Sequence, residues 1–417
     1  MKVFKFGGAS VKDAAGVRNL AEVVKRYGLD DLVIVVSAMG KTTNALEEVV
    51  WAWIDGRPTD DKVDALEQVH SEVLHEVAPH DEGAGKLLTN HFHALRAILK
   101  HPATKDIDLH YDQVVSFGEL WSSVIVKAHL DASGITSAWW DARTVVRTDG
   151  RHRSASVDWE ASADGAAILR AHVPDAPFRV VTQGFIGGAK DGTTTTLGRE
   201  GSDFSAAIFA YLLDAESVTI WKDVAGTFNA DPNRFADTTL LEHISYREAI
   251  ELSYFGASVI HPRTLQPLQR KNIPLYVRSF LDAEVAGSTI SDATDRDTLV
   301  PSFIVKPKQL LISITPRDLS FIVEENLSGI FKCFADRQVR IELMQNSALA
   351  FSVAVDDSPR ARQLIEELRK DYEVRYNESC ELITVRHYDE ATLKRLLNGK
   401  EPLIEQRSRT TARFVVN

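Results

Sequence analysis

The sequence predicts an α/β protein in which helices cover both faces of a mainly parallel sheet, giving three αβα layers. A ferredoxin-like βαββαβ unit and a shortened second unit follow. Three observations carry this reading. Leu32 to Val36 (LVIVV) is an unbroken apolar run, as in a strand buried on both faces of a parallel sheet. Short β-branched runs alternate with helical periodicities up to about residue 285. Beyond a stretch rich in Ser, Thr, Asp and Pro, the elements shorten and take βαββαβ order.

Element by element, the first segment is a strand, Val3 to Phe6, broken by Gly7-Gly8. Helical patterns follow over Asp13 to Tyr27, Asn44 to Ile54, Thr59 to His75, Gly85 to Leu99 and Glu119 to Ser133. Further strands are predicted at Thr136 to Trp140, Phe178 to Thr182, Ser217 to Trp221 and Leu275 to Arg278. These make one domain over 1–285, with 286–308 as a linker. The βαββαβ unit over 309–386 consists of strand 309–315, helix 327–337, strands 339–344 and 348–355, helix 359–370, and strands 372–376 and 380–385. The remaining residues, 387–417, hold one helix and two strands, too little for a second complete unit.

Composition narrows the function. The chain has 417 residues, about three times a typical domain, and a net charge of −11, so a nucleic-acid or anionic-membrane footprint is not expected. Two cysteines, Cys333 and Cys380, make neither a disulfide framework nor a multi-cysteine zinc site. No apolar run reaches membrane-spanning length, and MKVFKFGGAS lacks the apolar stretch of a signal peptide. A soluble cytoplasmic protein is expected.

Three segments carry chemistry. In the first, Lys5 and Gly7-Gly8-Ala9-Ser10 form a strand-to-helix turn whose backbone N–H groups and ammonium suit an oxyanion. The second, GFIGGAKDGTTTTLGREGSDFSAA from Gly184, crowds glycines and hydroxyls around Arg199 before Ser202 and Asp203 open a helix. In the third, TIWKDVAGTFNADPNRF, residues Lys222-Asp223 and Phe228 to Asp231 suit a nucleotide base and ribose. Other motifs fail. Gly40-Lys41-Thr42 lacks the P-loop glycine, where Val35 stands; no GxGxxG or GxSxG occurs; and His75-Glu76 lacks its second ligand. No metal-ligand set is predicted.

Taken together, these segments resemble the aspartate kinases of the amino-acid-kinase superfamily. The resemblance rests on Lys5-Phe6-Gly7-Gly8-Ala9-Ser10, Val35-Val36-Ser37-Ala38, Thr43-Asn44, Ser116-Phe117-Gly118-Glu119 and Gly184-Phe185-Ile186-Gly187. It continues through Thr194 to Arg199, Gly201-Ser202-Asp203, Asp223 to Gly226, Phe255-Gly256-Ala257 and His261-Pro262. It implies ATP- and Mg²⁺-dependent phosphorylation of the β-carboxylate of L-aspartate, the first step toward lysine, threonine and methionine. By the same resemblance, Lys5, Gly7, Gly8 and Asp203 are the catalytic set. Thr43, Glu119, Phe185, Arg199 and Ser202 bind aspartate, with Arg199 gripping the α-carboxylate and Glu119 the ammonium. Lys5, Gly8, Ser10, Ser37, Lys222, Asp223, Phe228, Asp231, Arg234 and Ser258 bind ATP.

The chain departs from the family pattern at Glu200, Lys222, Phe228, Asn233 and Ser258, with Lys222 and Arg234 as candidate replacement cations. The C-terminal region resembles ACT regulatory domains. This implies homodimerisation through these units and a feedback amino acid, lysine or threonine, near Asn326, Leu327, Glu342, Asn346 and Ser347. Two other readings stand beside this one: a glutamate or acetylglutamate kinase, and a weakly catalytic amino-acid sensor.

Overall fold

The computed structural model describes residues 1–173, 177–257, 260–318 and 320–417. They form two compact units. One comprises Met1–Thr227, Leu240–Ile250 and Val259–Arg296; the other comprises Phe228–Thr239, Glu251–Ser258 and Asp297–Asn417.

The first unit is built on strands β1 (Lys2–Phe6), β2 (Leu32–Val36), β3 (Ala138–Trp140), β4 (Arg147–Thr148), β5 (Arg179–Gln183), β6 (Ile186–Ala189), β7 (Thr194–Thr196), β8 (Ser217–Lys222), β9 (His243–Ser245), β10 (Leu275–Ser279) and β11 (Ser288–Ser291). Eight of these make one sheet in the order β3-β5-β2-β1-β8-β10-β11-β9, and β4, β6 and β7 make a small second sheet. All pairings in the large sheet are parallel except β10 with β11. The helices are α1 (Ala14–Tyr27), α2 (Thr42–Ile54), α3 (Asp60–Val77), α4 (Glu82–Leu99), α5 (Ile107–Val115), α6 (Phe117–Ala132), α7 (Trp159–His172), α8 (Gly201–Leu212), α9 (Tyr246–Phe255) and α10 (Pro262–Arg270).

The five residues of β2 are fully buried, as a strand between two helical layers must be. Asp13, Asp81, Asp106 and Asp158 cap α1, α4, α5 and α7 by accepting from backbone N–H groups three residues on. Helices α5 and α7 lie outside the elements predicted from periodicity. The chain passes from β1 to β2 on one side and reaches β8 on the other, so the carboxyl end of β1 is a topological switch point. Crevices at such points are where α/β sheets bind ligands.

In the second unit, β12 (Ser302–Pro316) and β15 (Tyr372–Arg386) run antiparallel through a six-stranded sheet of order β13-β14-β12-β15-β17-β16. The others are β13 (Ile341–Asn346), β14 (Phe351–Asp356), β16 (Pro402–Arg407) and β17 (Thr411–Val416), with helices α11 (Glu324–Asp336), α12 (Pro359–Leu368) and α13 (Glu390–Leu396). The first ferredoxin-like half has a core of Leu310, Ile312, Ile314, Ile330, Phe334, Val353 and Leu364. In the second half, Phe303, Ile383, Val385, Leu393 and Phe414 pack together.

Two expectations about boundaries change. The stretch 286–308, read as a linker, carries β11 and the start of β12. Residues 302–306 pair with 382–386 and give the shortened second half its fourth strand. The segments 228–239 and 251–257, read as part of the 1–285 domain, fold with the second unit. There the Phe235 and Phe303 rings meet edge-on at 4.9 Å, Asn229 Nδ2 donates to the Pro301 carbonyl at 2.9 Å, and Arg234 pairs with Glu381.

Candidate active site

Strand alternation decides where Lys5 points. Phe4 and Phe6 turn to one face of β1 and pack with Trp221 of β8, so Lys5 faces the other way. There it meets Asp203, in the first turn of α8, at 2.7 Å. Lys222, at the end of β8, reaches the other Asp203 oxygen at 3.7 Å. Burial pushes the Asp203 carboxyl up, but Lys5 and Lys222 outweigh it and hold it below the usual carboxylate range. The N-terminal end of a helix also favours that negative charge.

These groups open into a cavity of about 610 Å³ at the carboxyl ends of the strands. Its walls include Lys5, Gly8, Ser37, Thr43, Glu119, Phe185, Arg199, Ser202, Asp203 and Lys222, all of them predicted site residues. Gly8 is held close to the loop after β2: a Cβ there would lie 2.7 Å from the Ala38 carbonyl oxygen, and its own carbonyl accepts from Gly40 N at 3.0 Å. Gly7 lies beside Lys5, where a Cβ would sit 3.4 Å from Nζ.

Glu119, in the first turn of α6, is 3 % exposed. Ala38 N donates to its Oε1 at 3.2 Å, and its buried Oε2 has no hydrogen-bond partner. Burial pushes its carboxyl up to about 8, against smaller opposing effects from the Ala38 N–H and Lys5. An unpaired buried acceptor of this kind is a receptor for a cationic donor. Arg199, in the same cavity, is exposed and has no ion-pair partner among the described residues.

The wall also contains Tyr111 and Arg153, which the sequence reading missed, and Thr196, Gly198, Glu200 and Gly201, which lie in the segments it singled out. Asp112 organises this side. Fully buried, it accepts from Thr196 N (2.8 Å), Thr196 Oγ1 (2.7 Å) and Arg153 N (2.9 Å), with His152 Nδ1 3.2 Å away. The only sequence signal was polar residues in a turn, DGRHRS, which reads as ordinary surface. The glycine cluster divides in two. Gly198 and Gly201 line the cavity, whereas Gly188 is there for packing, since a Cβ would fall 2.4 Å from the Arg143 carbonyl oxygen. Glu200, one of the departures from the family pattern, lines the cavity and accepts at Oε2 from His261 N at 2.9 Å.

Other predicted residues lie elsewhere. Ser10 is buried, 3.4 Å from the Trp221 carbonyl oxygen, and Asp223 is exposed just past β8. Phe228, Asp231 and Arg234 belong to the second unit. There Asp231 accepts from Asn233 N at 2.9 Å, and Glu381 binds both Arg234 and Lys400. Ser258 lies outside the described residues. Of the effector set, Asn326 accepts from Val323 N at 3.1 Å and Leu327 packs on the core. Glu342 is buried in an ion pair with Lys306 at 2.8 Å, while Asn346 and Ser347 are exposed at the end of β13, where Ser347 closes a turn with Ala350.

Residues 1–279 match the model of the amino acid kinase family. The chain belongs to that family. The lysine-sensitive aspartokinase 3 of Escherichia coli K12 is 31% identical over 362 residues, which are 85% of this chain and 78% of that protein, and this places the kinase among the aspartokinases. The chloroplastic bifunctional aspartokinase/homoserine dehydrogenase 2 of Arabidopsis thaliana is 32% identical over 84% of this chain, which spans 39% of that relative's length. Crystallised E. coli aspartokinase III, in complex with lysine and aspartate, superposes with a TM-score of 0.84 at 26% identity over 100% of this chain and 96% of that one. Among the described residues of this family member, no helix is long and apolar enough to cross a membrane.

Proposed function

We propose that this kinase transfers the γ-phosphoryl group of ATP to the β-carboxylate of L-aspartate, giving 4-phospho-L-aspartate and ADP. The observation that carries the reading is the unpartnered, buried Glu119 carboxylate in one cavity with the Lys5–Asp203 pair and Arg199. Acetylglutamate kinase fits less well, because an N-acetylated substrate brings no ammonium to Glu119; glutamate, which brings one, is separated by the turnover test below. The E. coli relative crystallised with aspartate and ADP supports the same assignment.

A carboxylate is ionised at neutral pH, so the nucleophile needs no general base. A carboxylate oxygen forms a bond to the γ-phosphorus as the bond from that phosphorus to the β,γ-bridging oxygen breaks, and ADP leaves with the electron pair. The protein's task is to bring two anions together in line and neutralise the charge that develops. Lys5, oriented by Asp203, supplies that charge beside the transferring group, and Gly8 lets backbone approach it closely. Lys222 sits on the phosphate side, while Glu119 and Arg199 hold the ammonium and α-carboxylate, with Thr43 and Ser202 offering hydroxyls.

Among the described residues, no three His, Cys, Asp or Glu side chains form a metal cluster, and Asp203 is already engaged by two lysines. Magnesium would accompany ATP beside Lys5 and Asp203, and would supply positive charge for the phosphate oxygens. The ferredoxin-like second unit is read as the sensor of a feedback amino acid, lysine before threonine in view of the lysine-sensitive relative, and as the dimerisation module. The test is ATP- and Mg²⁺-dependent formation of acyl phosphate from aspartate, trapped as the hydroxamate, with and without lysine and threonine. Turnover is expected on aspartate and not on glutamate or N-acetylglutamate. Absence of turnover with lysine still bound would move the chain to the sensor class.

A further inference from the structure

The charged groups lining the cavity form a pattern. Asp203 is engaged by Lys5 and Lys222, and the Glu200 carboxylate is turned to His261 N. Glu119, Arg199 and Arg153 remain to meet a substrate. L-aspartate presents its ammonium to Glu119 and its β-carboxylate to Lys5, which leaves both guanidiniums for its α-carboxylate.

Arg153 is held in place from three sides. Its backbone is left-handed, at φ 64°, a conformation that costs a non-glycine residue energy. Its N–H is fixed by buried Asp112, the same carboxylate that holds Thr196 in the cavity wall. Its guanidinium lies over the Tyr111 ring, 4.2 Å from the centroid, and the Tyr111 hydroxyl is in turn held by Glu47 at 2.6 Å. Stacking of this kind fixes the guanidinium plane and leaves its edge donors free. The carboxylate that pairs with the guanidinium itself, Asp108, is 3.5 Å away and largely solvated, so it screens the charge weakly.

We propose that Arg153 is a second cation for the α-carboxylate of the amino-acid substrate, working with Arg199. The inference rests on the aspartate-kinase reading above. The β-carboxylate must face Lys5 and the phosphoryl group, which leaves the α-carboxylate for the cationic part of the lining that holds Arg199 and Arg153. Arg153 then selects substrates with a free α-carboxylate.

The experiment compares L-aspartate with its 1-amide, which keeps the ammonium and the β-carboxylate but loses the α-carboxylate charge. Arg153→Gly is the variant of choice, because glycine adopts this backbone without strain and folding is not put at risk. For aspartate, KM should rise about 10- to 100-fold, the value of a charge-assisted contact, while kcat and the KM for ATP stay within about 3-fold. For the 1-amide the same substitution should change KM by less than about 3-fold, and Arg153→Lys should recover part of the loss on aspartate. An unchanged KM for aspartate, or an equal rise for both substrates, overturns the role of Arg153 while the kinase reading stands. Wild-type protein inactive on aspartate removes that reading and this inference together.

Discussion

Lowering the pH from 8 to 6 should raise the KM for aspartate by about 50-fold and leave the KM for ATP nearly unmoved, because the fraction of ionised Glu119 falls by that factor. The structure supplies the magnitude. Burial pushes the carboxyl up to about 8, so the empty site is about half ionised at pH 8, about one-tenth at pH 7 and about one-hundredth at pH 6. Only the anion can receive the substrate ammonium, and binding therefore releases a proton from Glu119. The stability sign runs the other way. The folded-state value lies above the ordinary carboxyl value of 4.5, so stability is fully present below about pH 4.5 and is lost as pH rises through 8, until aspartate binds. The assay is initial-rate hydroxamate trapping between pH 6 and 8 for the wild type and Glu119→Gln, with calorimetry in two buffers to count the released proton. In Glu119→Gln the KM should be high and flat with pH. A flat wild-type profile, or the same slope in both proteins, would refute the argument.

Four further outcomes are expected. Lys5→Ala should lower kcat by about 10²- to 10³-fold with a small change in the KM for aspartate, as removal of one transition-state donor does; steady-state kinetics decide it. Gly8→Ala places a Cβ 2.7 Å from the Ala38 carbonyl and should cost about 1–3 kcal/mol of stability together with most of the activity, read by thermal melting and turnover. Asp112→Asn weakens a fully buried carboxylate that accepts three hydrogen bonds, and should destabilise the fold by about 1–3 kcal/mol in a denaturant titration while raising the KM for aspartate. Lys222→Ala should raise the KM for ATP, whereas Arg234→Ala, whose guanidinium is taken by Glu381, should leave it unchanged.

Much of the site was legible because its chemistry is local in sequence. Lys5 and Gly8 share one strand-to-turn segment, and Arg199, Ser202 and Asp203 share another, so residue type and order were enough to nominate them. The part of the wall with Arg153 and Tyr111 was not legible. Arg153 and Tyr111 become site residues only because Asp112, whose neighbours in sequence are unremarkable, binds β7 and the 152–153 turn at once. Glu200 lines the cavity, as its place beside Arg199 suggests, but only the fold brings the His261 N–H to its carboxylate.

By itself the sequence determined the layered α/β class, the mainly parallel central sheet and the ferredoxin-like order after residue 308. These follow from hydrophobic period and turn chemistry, which act over a few residues. Tertiary structure alone decided that 302–306 completes the second half of the C-terminal sheet, that 228–239 leaves the first unit, and that Glu119 ends buried with an oxygen unsatisfied. Each of these depends on which distant segments share one space, and so on the solvation and charge that they impose on each other; neither is written in local pattern.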